Sequence, residues 1–137
     1  MEINNYKVSK GIHFCYGHRL LEYNGMCRYL HGHNAYLEID ISSNRLDQLG
    51  MVVDFNEIKD KAKNWIDQHV DHKMLLCDGD PIIPALKELG EPYFLMAENP
   101  TAENISKMLF REISNLGLKL NEIRLWETPS SYASYSE

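Results

Sequence analysis

The run from His31 to Ser42 alternates with a period of two. His31, His33, Ala35, Leu37, Ile39 and Ile41 fall on one side, and Gly32, Asn34, Tyr36, Glu38, Asp40 and Ser42 on the other. Successive side chains of a strand point to opposite faces, so this segment reads as a half-buried strand with one helix-covered apolar face. Two imidazoles begin that face. His31 and His33 point the same way, about 7 Å apart along the strand, and can reach a single metal ion. Gly32 leaves room between them. Cys27, four residues before His31, falls outside the strand pattern; it is either a further ligand or a separate reactive thiol.

Tyr6 to His18 reads as a partner strand, with Val8, Ile12, Phe14, Tyr16 and His18 on one parity and His13 on the other. Gly17 suggests a bulge or a close backbone approach. A turn at Glu22 to Met26 follows, so an antiparallel pair brings His18 beside His31 and His33. Asp54-Phe55-Asn56-Glu57 fits a capping box with Asp54 at the cap and Glu57 at N3. The helix after it carries Phe55, Ile58, Ala62, Trp65, Ile66 and His69 on one stripe and ends near Val70 to Lys73. Met74 to Cys77 is short and apolar, Asp78 to Pro81 is a turn, and Ile82 to Leu89 forms one or two helical turns closed by Gly90. Tyr93 to Met96 reads as a strand. Asn99 to Asn104 opens a second long helix, with Pro100 early and Thr or Asn as cap; its inner stripe is Ile105, Met108, Leu109, Glu112, Ile113 and Leu116, apolar apart from Glu112, and Gly117 ends it. Leu120 to Glu127 is the last predicted strand. The order of two strands, two helices and two strands, with a small insertion, gives an expected α+β class: a sheet covered by helices on one face, a single domain over residues 1–137.

Composition narrows the function classes. A chain of 137 residues can bury its own core. Its net charge of −6 argues against a general nucleic-acid surface, though a local basic pocket for a phosphorylated small molecule stays compatible. No apolar run approaches the roughly 18 residues of a membrane helix. Met1 to Asn5 lacks the basic and apolar regions of a secretory signal, and the expectation is cytoplasmic. Three cysteines, Cys15, Cys27 and Cys77, show no framework spacing and read as free thiols or metal ligands in a reducing compartment.

His18, His31 and His33 would make a three-histidine zinc site that keeps an open position, the catalytic type. Cys27 either closes that site as a structural fourth ligand or acts beside it as base or nucleophile. Asp71-His72 could polarise such a thiol, or simply end the first helix. Glu127 lies on the parity of Ile123 and Leu125. A carboxylate on a buried face needs a partner, and a guanidine-like edge with adjacent N–H donors would satisfy it in a fork; a solvated strand end is the plain alternative. Thr101 and Glu103 have the plain reading of cap and first-turn acid. Cys15 and Cys77 read as structural thiols, and His13 and His69 as surface or packing residues.

Phe14-Cys15-Tyr16-Gly17-His18-Arg19-Leu20, Cys27 to His33, Asp54-Phe55, Asp71-His72, Pro100 to Asn104 and Trp126-Glu127-Thr128-Pro129 occur in this order. Together they resemble the 6-pyruvoyl-tetrahydropterin synthase / 6-carboxy-tetrahydropterin synthase family, over nearly the whole chain. The resemblance implies the tunnelling fold (T-fold), an antiparallel four-stranded sheet with two long helices on one face, with trimers closing their sheets into a barrel and two trimers stacking as a homohexamer. It implies zinc (Zn2+) on His18, His31 and His33, with Cys27 as general base and Asp71 and His72 completing an intersubunit relay. Glu127 would anchor the pterin, helped by Thr101 and Glu103. The implied substrate is 7,8-dihydroneopterin triphosphate. Three residues separate Cys27 from His31, similar to the bacterial 6-carboxy-tetrahydropterin synthases of queuosine biosynthesis. The animal pyruvoyl enzymes have a longer gap. The implied reaction is therefore a lyase reaction that gives 6-carboxy-5,6,7,8-tetrahydropterin, acetaldehyde and triphosphate. The alternatives are the pyruvoyl-forming reaction and a non-catalytic zinc- or pterin-binding protein. Tyr16-Gly17 departs from the small residues usual before the first histidine. Arg19, Arg28 and Lys73 are candidates for the triphosphate by charge and sequence proximity.

Overall fold

The computed structural model describes residues 3–137; the reading of Met1 and Glu2 as part of a non-secretory N-terminus lies outside them. Strand β1 (Tyr6–His18) and strand β2 (His31–Ser43) form an antiparallel ladder without a break, from Tyr6 opposite Ser43 to His18 opposite His31. Gly17 faces Gly32 in that ladder, so no bulge occurs there. The close approach does: a Cβ at Gly17 would collide with the Met74 sulfur.

Helix α1 (Phe55–His69) starts at Asp54, whose carboxylate accepts from the Asn56 N–H at 2.8 Å. The predicted reciprocal box does not form, because Glu57 pairs instead with Lys61 one turn on, at 2.9 Å. Ile58, Ala62 and Ile66 are buried, as their spacing requires, but Phe55 is 51% exposed and does not belong to the inner stripe. Strand β3 (Lys73–Cys77), helix α2 (Ile83–Leu89) and strand β4 (Tyr93–Met96) follow. Helix α3 (Ala102–Ser114) is capped by Thr101, whose hydroxyl accepts from the Asn104 N–H at 3.1 Å. Strands β5 (Glu122–Thr128) and β6 (Ser131–Tyr135) close the chain.

The class is α+β, with one correction of strand number and direction. Among the described residues the sheet has six strands, in the order β4-β3-β1-β2-β5-β6, and it is mixed. β3 runs parallel to β1, and β4 parallel to β3. The four-stranded antiparallel expectation took Met74–Cys77 as an apolar piece outside the sheet. It also stopped at Glu127, because Ser131–Tyr135 is too polar to show a buried face. β3 and β4 can be parallel because the connection through α2 supplies the crossover that such a pair needs.

α1 and α3 cover one face of the sheet. Ile12, Phe14, Ala35, Leu37, Ile39, Ile123 and Leu125 meet Ile58, Ile66, Ile105, Leu109 and Ile113 there. The other face carries a polar network. Asp40, 1% exposed, accepts from Ser9 and from Arg124 Nη2 at 2.9 Å, and Lys7 lies 3.6 Å away. A buried carboxylate is tolerated because it is paired in this way. Among the described residues no helix is long and apolar enough to cross a membrane.

Candidate metal and active site

Register places the histidines. His18 ends β1 opposite His31, which starts β2, and His33 lies two residues further along the same face. One ring nitrogen from each lies within 4.8 Å of the others. His18 and His33 present Nε2 to Nε2 at 3.1 Å, close to the roughly 3.3 Å between two nitrogens of one tetrahedral zinc. The opposite side of two rings is already engaged. His18 Nδ1–H donates to the Pro100 carbonyl at 2.7 Å, and His31 Nδ1–H donates to the Tyr29 carbonyl at 2.7 Å. Each bond fixes the tautomer that leaves Nε2 lone pairs free, the outer support that metal-bound imidazoles carry. Burial holds the His18 imidazole below its ordinary range; the Pro100 carbonyl and the Glu127 charge oppose that in part. A neutral imidazole is the form that ligates. The donor set therefore fits a divalent cation that favours nitrogen.

Glu127, on β5, reaches the same place. Its Oε1 lies 3.8 Å from His18 Nε2 and its Oε2 3.8 Å from His33 Nε2. Oε1 also accepts from the Tyr16 hydroxyl at 2.6 Å. Tyr16 is 2% exposed, and its ring packs edge-on against His18. Burial pushes its phenol pKa well up, and the Glu127 carboxylate adds to the shift. Sequence reasoning marked Tyr16 only as a departure from the small residues usual before the first histidine and missed its partner. The parity it shares with His18 was the available signal.

Cys27 sits on a short 3₁₀ turn, Met26–Arg28, and is half-buried. Its sulfur is not in the histidine group, so the structure does not assemble a closed Cys-His₃ site. Nor does one chain bring Cys27 to Asp71 and His72. Those two stand at the entry to β3, where the His72 N–H donates to the Cys15 carbonyl at 2.7 Å. Asp71 Oδ1 accepts from the Cys15 N–H at 3.0 Å and lies 3.0 Å from His72 Nδ1. Burial pushes the Asp71 carboxyl up, but the Cys15 N–H and His72 outweigh it and hold it below the usual range. A cavity of about 630 Å³ is lined by His31, His33, Cys15, His72 and Lys73 among others.

The remaining candidates separate. Thr101 spends its hydroxyl on the helix cap, and Glu103 is exposed on the first turn of α3. Arg19 is forked onto buried Asp80, with Nε–H donating to Oδ2 at 2.8 Å. That pair holds the Asp80 carboxyl below its usual range and occupies the guanidinium. Arg28 is exposed, with Nη2 donating to the Tyr29 hydroxyl at 2.6 Å and its guanidinium over that ring. Lys73 donates to the Gln68 carbonyl.

Residues 7–137 match the model of the family described as 6-pyruvoyl tetrahydropterin synthase. The chain belongs to that family. The 6-carboxy-5,6,7,8-tetrahydropterin synthase of Rickettsia conorii is 40% identical over 133 residues, covering 92% of this chain and 96% of its own. The enzyme of the same name from Aquifex aeolicus is 31% identical over 160 residues, covering 96% and 98%. An uncharacterized Wolinella succinogenes protein, WS1659, superposes with a TM-score of 0.80 at 27% identity, covering 96% of this chain and 97% of that one. The 6-pyruvoyl tetrahydropterin synthase of Caenorhabditis elegans shares the fold, with a TM-score of 0.73 at 19% identity over 96% of this chain and 95% of its own. The family's tunnelling fold is thus the fold of this chain.

Proposed function

We propose that this chain is a lyase, a 6-carboxy-5,6,7,8-tetrahydropterin synthase acting on 7,8-dihydroneopterin triphosphate, with acetaldehyde and triphosphate released. The observation that carries the reading is the convergence of three imidazoles on one point beside a carboxylate, two of them held by backbone carbonyls with Nε2 free. Relatives of that name, matching over nearly the full length, support the reaction.

His18, His31 and His33 would hold the zinc, which would supply a Lewis acid to acidify the substrate protons to be moved. Glu127 anchors the pterin by accepting from its adjacent ring and amino N–H groups. Each carboxylate oxygen has two lone pairs, so Oε1 can keep the Tyr16 hydroxyl while it accepts from the pterin. Cys27 as thiolate takes and returns protons at the side chain. Asp71 holds His72 by its Nδ1, orienting the imidazole for proton relay. Since Cys27 stands apart from this pair within one chain, we infer that the relay is completed between subunits of a homohexamer, a dimer of trimers. Thr101 and Glu103 contribute near the pterin through the start of α3, and Arg28 and Lys73 are the cations left for the triphosphate. Three unpaired cysteines fit the reducing cytoplasm, and the carboxy-pterin product fits queuosine biosynthesis.

The test is product analysis of the zinc-loaded protein with dihydroneopterin triphosphate. 6-Carboxy-tetrahydropterin and acetaldehyde are expected. No turnover with zinc bound overturns the reading. A pyruvoyl-pterin mass replaces it with the pyruvoyl-forming reaction that gives the family its description.

A further inference from the structure

Cys15 has no part in the mechanism above, yet it stands against the pair that does. Its Sγ, a carboxylate oxygen of Asp71 and a ring nitrogen of His72 all lie within 4.8 Å of one another. Cys15 lies on the opposite parity of β1 from His18, and its group shares no residue with the three-histidine cluster. Three features hold it in place. The main chains of Cys15 and His72 are joined at 2.7 Å, Asp71 is fixed by the Cys15 N–H, and His72 takes a left-handed φ of 60°. Such a backbone costs energy in a residue other than glycine and persists where the surroundings enforce it. The thiol donates to Asn34 Oδ1 at 2.9 Å. In the single chain the His72 ring is 78% exposed, so its outer side is not filled by this chain's own residues.

We propose that Cys15, Asp71 and His72 form a second binding site, for a thiophilic divalent cation of the zinc and cadmium type. Sulfur, nitrogen and oxygen donors from three residues with open positions are the set such ions take. On binding, the Cys15 S–H proton leaves to solvent and the sulfur–metal bond replaces the hydrogen bond to Asn34. The site has a regulatory consequence that rests on the proposed enzyme reading. A cation there occupies His72 and removes it from proton relay, so excess metal inhibits while the first equivalent activates.

The experiment is a cadmium titration of protein that already carries one zinc per chain, read by the ultraviolet thiolate-to-cadmium charge-transfer band, with turnover followed in parallel. The band should saturate at one added equivalent, vanish in Cys15→Ser and persist in Cys27→Ser and Cys77→Ser. His72→Asn should weaken binding about tenfold or more and leave the thermal unfolding transition in place. Turnover should fall on the order of a hundredfold as the band fills, as expected for loss of a proton-transfer group, and Cys15→Ser should escape that fall. No band, or a band that follows Cys27 or Cys77, overturns the site. A full band with unchanged turnover overturns the inhibition. Failure of the one-zinc protein to turn over pterin overturns the enzyme reading instead, and the spectroscopic result stands by itself.

Discussion

Replacing Tyr16 with phenylalanine removes one oxygen from the interior and leaves Glu127 Oε1 without its 2.6 Å donor. The ring contact with His18 is retained, so the change isolates the hydrogen bond. A hydrogen bond to a charged acceptor is worth about 1.5–3 kcal/mol. Glu127 is 22% exposed, so water partly replaces the lost donor, and about 1–2 kcal/mol is the expected loss. For a domain of this size that is a fall in Tm of roughly 3–8 °C. The pH dependence identifies the cause. Burial first, then Glu127, raises the Tyr16 pKa in the folded state. A group raised on folding stabilises below its unfolded pKa and loses that contribution above it. The unfolded phenol ionises near pH ~10, so the wild-type advantage over Tyr16→Phe is constant at neutral pH. Above pH ~10 it shrinks by about 1.4 kcal/mol per pH unit. Denaturant unfolding of both proteins between neutral and alkaline pH measures the difference curve. Equal stability at pH 7, or a gap that stays constant above pH 10, refutes the reasoning.

Cys27→Ala should retain one zinc per chain by metal analysis while turnover falls by about 10²- to 10⁴-fold; loss of the metal removes Cys27 from the role of base. Glu127→Gln should retain zinc and raise the KM for the pterin by roughly tenfold or more, and an unchanged KM removes Glu127 from the pterin site. Asp80→Ala strands Arg19, whose guanidinium is forked on a carboxylate with no exposed side-chain surface, and should cost about 3–5 kcal/mol in denaturant unfolding. A loss under about 1 kcal/mol would show that water reaches Arg19 freely.

The strand limits of β1 and the start of β2 were legible because alternation is written locally. Each residue's face depends only on its parity once the chain is extended. The caps at Asp54 and Thr101 were legible for the same reason, since donor and acceptor lie within three residues. The histidine pair needed nothing more than strand parity, and His18 joined it through a ladder of neighbouring strands. β3 was not legible as a sheet member. Four apolar residues, Met74 to Cys77, do not reveal that their strand pairs parallel to β1. β6 was missed because it is half exposed and polar, and its pairing with β5 supplies what its composition does not.

The sequence by itself thus determined which side chains could face a common metal and where the helices begin. Tertiary structure alone decided the environment of those side chains. It set Tyr16 against Glu127 across 111 residues, the Pro100 carbonyl against His18 across 82, and Asp71 against Cys15 across 56. Periodicity fixes a face but not the partner across it. The partner depends on strand order and crossover, which are settled by burial of the whole apolar face and the cost of closing long loops.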